Sequence, residues 1–96
     1  MQFLAAADFA AQANSVYEVD LGASSMQLTL VDIRPLPANG FADAKRAPFS
    51  LILRSTVQVV LPQRIYRLRH AAGLVEMFIV PVGRDATGVT YEAIYN

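Results

Sequence analysis

The chain has 96 residues, no cysteine, 54% apolar and 17% charged residues, and eight basic side chains that balance eight acidic ones. That length makes one domain over residues 1–96 with a modest core, since a domain this small buries only about 60–65% of the surface its unfolded chain exposes. The composition excludes a disulfide framework, thiolate catalysis and the strongly basic profile of many nucleic-acid binders, and no apolar run reaches the roughly 18–20 residues of a bilayer span.

Residues 4–13, rich in alanine and with Asp8 near the front, predict a short helix anchored by Phe9 with Leu4 or Phe3. The apolar start lacks a basic region and Asp8 interrupts it, which argues against a secretory signal. With no cysteine, a cytoplasmic location fits. Residues 16–21 alternate, with Tyr17, Val19 and Leu21 on one face, and residues 22–25 read as a turn. From Met26 the inward set is Met26, Leu28 and Leu30, and the phase then restarts at Val31 and Ile33. A slip of one residue predicts a β-bulge or bend.

Residues 35–48 carry Pro35, Pro37, Gly40 and Pro48 and form the longest irregular connection, the best candidate for a mobile binding loop. One parity holds from Phe49 through Leu51, Leu53, Ser55, Val57 and Val59 to Leu61, so residues 49–61 predict one long strand or two split near Ser55, ended by Pro62. Residues 63–96 read as a β-meander: a strand over 65–70, a turn at 71–73, a strand over 74–82, a polar loop over 83–88 and a strand over 89–95. The strand over 74–82 is apolar on both faces, which predicts cover on both sides. About six antiparallel strands and one N-terminal helix predict a mainly β domain, either a small barrel or a two-layer sandwich, with the helix plugging one end.

Chemistry-bearing residues are sparse. His70 is the sole histidine and shares parity with Tyr66 and Leu68, so it reads as a structural residue at a strand end. Ser50, Ser55 and Thr56 have no activating base marked for them, and no residues stand at metal-ligand spacing. The sequence points to no enzyme, no metal and no cofactor. Residues 1–44 hold one cation against five anions and residues 45–96 seven cations against three anions, which suits either acidic and basic strands paired within one fold or a polar molecule that stacks head to tail. Arg67 and Arg69 share an outward face, with Arg54 and Arg64 expected nearby. That ladder either meets Glu76 and Glu92 or tracks a phosphate backbone, although Tyr66 points the other way.

The run Pro48, Phe49, Ser50, Leu51, the run Leu61, Pro62, Gln63, the spaced Tyr66, Leu68 and His70, the stretch 78–83, and the ending Tyr91, Glu92, Ala93 with Asn96 resemble a family of small bacterial proteins of unknown function, some described as phage-tail-associated. The resemblance covers about residues 26–96 and implies no catalytic residues. One departure is Arg64, where the family pattern has glycine after glutamine.

These readings favour a non-enzymatic structural or protein-interaction module, and the resemblance implies a place in a phage-tail-like or surface-related assembly. A carrier of a small apolar ligand, with its mouth at residues 35–48, and a single-stranded nucleic-acid binder are the alternatives. The apolar surplus exceeds what so small a core encloses and predicts a homo-oligomer. Its expected contact is a strand edge bearing Val57, Val59 and Leu61, widened by Val60, because Pro62 cannot donate to a ladder. Arg54, Arg67 and Arg69 complete the candidate interaction residues.

Overall fold

Period-two alternation becomes six strands: β1 (Val16–Asp20), β2 (Ser25–Pro35), β3 (Phe49–Ser55), β4 (Arg64–His70), β5 (Gly73–Asp85) and β6 (Gly88–Tyr95). They belong to a computed structural model that describes residue 9 and residues 14–36, 48–71 and 73–95. Every pairing is antiparallel. The order runs β1-β2-β3-β6-β5-β4 and returns to β1, so the sheet closes into a barrel. The mainly β reading therefore stands. The helix expected over 4–13 falls, apart from Phe9, outside the described residues, as do residues 37–47 of the long connection. The ends of that connection meet where the Leu36 amide donates to the Pro48 carbonyl at 3.0 Å.

Alternation sorts the side chains onto two surfaces. Tyr17, Val19, Leu28, Leu30, Leu51, Leu53, Leu68, Ile79 and Tyr91 are buried inside the ring, and a barrel of so few strands is filled by such side chains. The expected phase slip is real, with a register shift between Leu30 and Asp32 opposite β3. Its detail differs from the sequence reading. Val31 is the extra residue and faces solvent, whereas Ile33 resumes the inward set, because a bulge leaves its additional residue unpaired. A second shift lies between Pro81 and Gly83 on β5, where proline cannot donate to the ladder.

Both barrel ends are sealed from within the chain. At one end Phe49 and Tyr95 stack with ring centroids 5.1 Å apart, and buried Phe9 packs on both, at 5.7 and 5.3 Å. At the other, residues 56–63 form an irregular strap instead of the predicted continuation of β3. The reason is local. The Val57 amide turns back to donate to Ser55 Oγ at 2.9 Å, and the Leu61 amide donates to the Tyr91 hydroxyl at 3.0 Å. The Tyr66 hydroxyl in turn donates to the Pro62 carbonyl at 2.6 Å.

The β5–β6 hairpin is tighter than the polar loop read over 83–88, since Asp85 and Gly88 already pair across it. Gly88 is required there: at φ +149°, a Cβ would fall 1.9 Å from the Ser55 carbonyl oxygen. Gly22, at φ +85°, has nothing within 4 Å of that position. We therefore predict that Gly22→Ala costs only the left-handed backbone penalty, roughly 1–2 kcal/mol. Gly88→Ala adds a collision with main chain and should cost about 3 kcal/mol or more. Urea unfolding of both variants checks the order; equal costs would refute the packing argument.

Candidate functional site

Register across β4, β5 and β6 assembles an apolar strip on the outside of the barrel. Ile65 pairs with Phe78, and Ile79 with Ala93, so the next residue along β6, Ile94, continues the row. Ile65, Phe78 and Ile94 are 65%, 47% and 51% exposed, while Met77, Ile79 and Ala93 beside them are buried. Leu74 and Val82 are also exposed and lengthen the strip along β5. The expectation that β5 is covered on both faces is thus corrected: its inward set fills the core and its outward set meets solvent. Isolated surface apolar residues are ordinary, but a contiguous group marks a contact site.

The residues singled out from the sequence separate into three places. Val57, Val59 and Val60 are exposed on the strap, not on a strand edge, so the edge geometry expected for them is absent. Leu61 turns inward and is 5% exposed, placing it in the core. Arg67 and Arg69 do share the outward face of β4, and Arg64 lies over the Tyr66 ring at 5.9 Å. Arg54 lies apart from them on β3, where its guanidinium donates to Asp85 Oδ1 at 3.0 Å and to Thr87 Oγ1 at 2.9 Å. It is a clamp on the β5–β6 hairpin, helped by Gln58, which donates to the carbonyls of Asp85 and Ala86.

The expected pairing of arginines with Glu76 and Glu92 also changes. Arg69 meets Glu18 across the β1–β4 seam at 3.6 Å. Arg67 stands opposite Glu76 yet makes no ion pair among the described residues, and Glu92 faces Ile52 and Val80 in the neighbouring strands. His70 stacks on Tyr17 with centroids 4.7 Å apart, in line with the structural role read from its parity. Burial pushes the Tyr17 and Tyr66 hydroxyls upward, so both remain protonated through the physiological range.

Among the described residues, hollows open at two places on the outer surface. One, of about 340 Å³, is bordered by Val16, Glu18, Gln27, Arg69, His70 and Ala71. The other, of about 350 Å³, is bordered by Arg67, Leu74, Val75 and Glu76. Their size would admit a small ligand, but both are open and edged by charge, whereas an apolar-ligand carrier needs an enclosed apolar chamber. The strip residues Ile65, Phe78 and Ile94 had escaped the sequence reading. Their signal was present in the two-faced apolar pattern of β5, which double cover and outward exposure explain equally well.

The hairpin clamp yields a pH prediction. The Thr87 hydroxyl, the Thr87 amide and the Arg54 guanidinium hold the Asp85 carboxyl well below its ordinary value of 3.8. A depressed folded-state value means stability that is present above the unfolded value and is lost as pH falls through the folded one. The urea midpoint should therefore fall as pH drops below about 4, and Asp85→Asn should flatten that slope relative to wild type. An unchanged slope in the variant would remove Asp85 from the account. Asp32, lowered by Arg34, contributes with the same sign and remains in the variant.

A family model described as "Domain of unknown function (DUF6916)" matches residues 4–95. No curated protein and no solved structure shows a match to the chain. The match covers nearly the whole length, including all six strands, the strip and both sealed ends. The chain belongs to the DUF6916 family.

Proposed function

We propose that the domain is a non-enzymatic protein-interaction module that self-associates through the outward strip of β4, β5 and β6. One observation carries the reading: Ile65 pairs with Phe78, Ile94 lies one step past the Ile79–Ala93 pair, and this row on three neighbouring strands is apolar and open to solvent. Along β5, the eight steps from Leu74 to Val82 run about 27 Å at ~3.4 Å per residue. Three strands at ~4.8 Å add about 10 Å of width. That is a platform on which a second sheet can pack at about 10 Å. Arg67 and Glu76 beside the row carry both signs, as an isologous contact requires when each copy offers the same patch. Phe78 is 47% exposed, so burying the rest of it would contribute about 0.7–1.5 kcal/mol per copy, roughly half of the value for a fully exposed side chain.

Among the described residues no helix is long and apolar enough to cross a membrane. The cysteine-free composition suits a reducing, cytoplasmic setting, and the resemblance noted in the sequence extends the proposal to a place in a phage-tail-like or surface-related assembly.

Sedimentation velocity should show a dimer at micromolar concentration that Phe78→Lys converts to a monomer with unchanged far-ultraviolet circular dichroism. Val59→Lys, on the strap, should leave the dimer intact. A wild-type monomer at high concentration would refute self-association. A dimer broken by Val59→Lys and not by Phe78→Lys would move the contact to the strap.

A further inference from the structure

The strip has an internal symmetry that narrows how two copies can meet. Ile79 pairs with Arg64 on one side and with Ala93 on the other, so β4 and β6 stand level across β5. One step from that row towards the start of β5 are Ile65, Phe78 and Ile94, and one step towards its end are Gln63, Val80 and Glu92. Both rows have the parity opposite to buried Ile79 and Ala93, which is the outward one. About β5, each row is matched in kind. Isoleucine balances isoleucine in the first. In the second an amide, exposed Gln63, balances the Glu92 carboxylate. Glu92 has apolar Ile52 and Val80 as its partners in register and makes no ion pair among the described residues.

Two sheets packed face to face share a two-fold axis only when it lies between them and parallel to both. An axis along β5 sets β4 of each copy on β6 of the other, whereas an axis across the strands sets each strand on itself, end for end. The residues of β5 decide between these. Leu74, Glu76, Phe78 and Val80 follow one another on its outward side, so reversal about Phe78 covers the Glu76 carboxylate with Val80, twice. An ionised group covered by apolar atoms is costly. We propose that the second copy docks about a two-fold axis along β5. This arrangement rests on the self-association reading and fixes its geometry. Phe78 then meets Phe78 and Val80 meets Val80, with the strands of the two copies near the roughly 30° of aligned sheets. Ile65 of each copy packs on Ile94 of the other, and the Gln63 amide of each donates to the Glu92 carboxylate of the other. Every such pairing occurs twice, as an isologous contact requires. Exposed Glu76 meets its counterpart only at the margin of this contact, where solvent screens the pair.

The chain has no cysteine, so introduced thiols report on the axis directly. A linker joining two thiols over about 8 Å reaches between facing side chains of sheets about 10 Å apart. Val80→Cys should link to itself. Ile65→Cys and Ile94→Cys should each stay largely unlinked alone, and their equimolar mixture should link. Charge gives a second readout. Gln63→Glu sets two carboxylates face to face and should weaken the dimer roughly two- to thirtyfold. Mixing it with Glu92→Lys should restore a mixed dimer, and the double variant should restore a dimer of its own. Circular dichroism of each variant should match wild type. Failure of Val80→Cys to link, faster linking of Ile65→Cys or Ile94→Cys to itself than in the mixture, or an unchanged dimer in Gln63→Glu would overturn the axis along β5. In those cases dissociation by Phe78→Lys would still uphold self-association through the strip. A wild-type monomer at high concentration would remove that reading and this arrangement together.

Discussion

The barrel closes through two residue pairs between β1 and β4, and the separation of inside from outside depends on that short seam. Its charged pair contributes little, because Glu18 and Arg69 are well exposed at 3.6 Å and such surface pairs are worth roughly 0–1 kcal/mol. What holds the seam is apolar. Val19 and Leu68 are fully buried opposite each other, and Tyr17 and His70 stack just beyond them. Each aromatic pair of this kind adds about 0.5–1.5 kcal/mol beyond the area that it buries. Closure therefore comes from core packing that happens to lie at the seam, and the ladder there records the geometry more than it causes it.

Once the ring is closed its interior is finite. Six strands enclose a space lined by one residue in two, with aromatic groups at one end and the strap at the other. A chain that is 54% apolar holds more such residues than this interior admits. The surplus is not scattered evenly. β5 carries much of it, because Leu74, Phe78 and Val82 share its outward parity while Met77 and Ile79 occupy the inward one.

Where one physical rule governed a segment, the sequence was readable. Strict alternation located the inward sets of β1, of β4 and of β2 as far as Leu30, and the slip after Leu30 announced the bulge, although it is Ile33 and not Val31 that turns inward beyond it. It failed where two rules competed. From Phe49 to Leu61 the parity is unbroken, yet the strand stops at Ser55. The Tyr91 hydroxyl, distant in sequence, accepts from the Leu61 amide, and Gln58 within the strap donates to the Asp85 and Ala86 carbonyls of the β5–β6 hairpin, contacts that a continued ladder would not make. Arg54 looked like part of a basic surface because no local pattern ties it to Asp85 and Thr87, which reach it only after the chain has crossed the barrel twice. The exposed row on β4, β5 and β6 was invisible for the same reason. Register between strands, not order along one, sets Ile65 opposite Phe78 and brings Ile94 one step past the Ile79–Ala93 pair.

Among the described residues, two apolar surfaces remain outside the core, and their backbones distinguish them. The strap valines ride on an irregular segment whose carbonyls and amides are already committed inward. The Tyr91 hydroxyl accepts from the Leu61 amide, and the Pro62 carbonyl accepts from Tyr66. Their exposure follows from a loop that must cross a barrel end with few polar side chains to turn outward. The strip is different, because Ile65, Phe78 and Ile94 each stand on a ladder with a fixed spacing of about 4.8 Å between strands. Its inward neighbours are locked in the core. A surface so supported changes shape little on contact, so its binding free energy is not spent on ordering side chains and loops. By that criterion the strip, and not the strap, is the surface built to receive a partner.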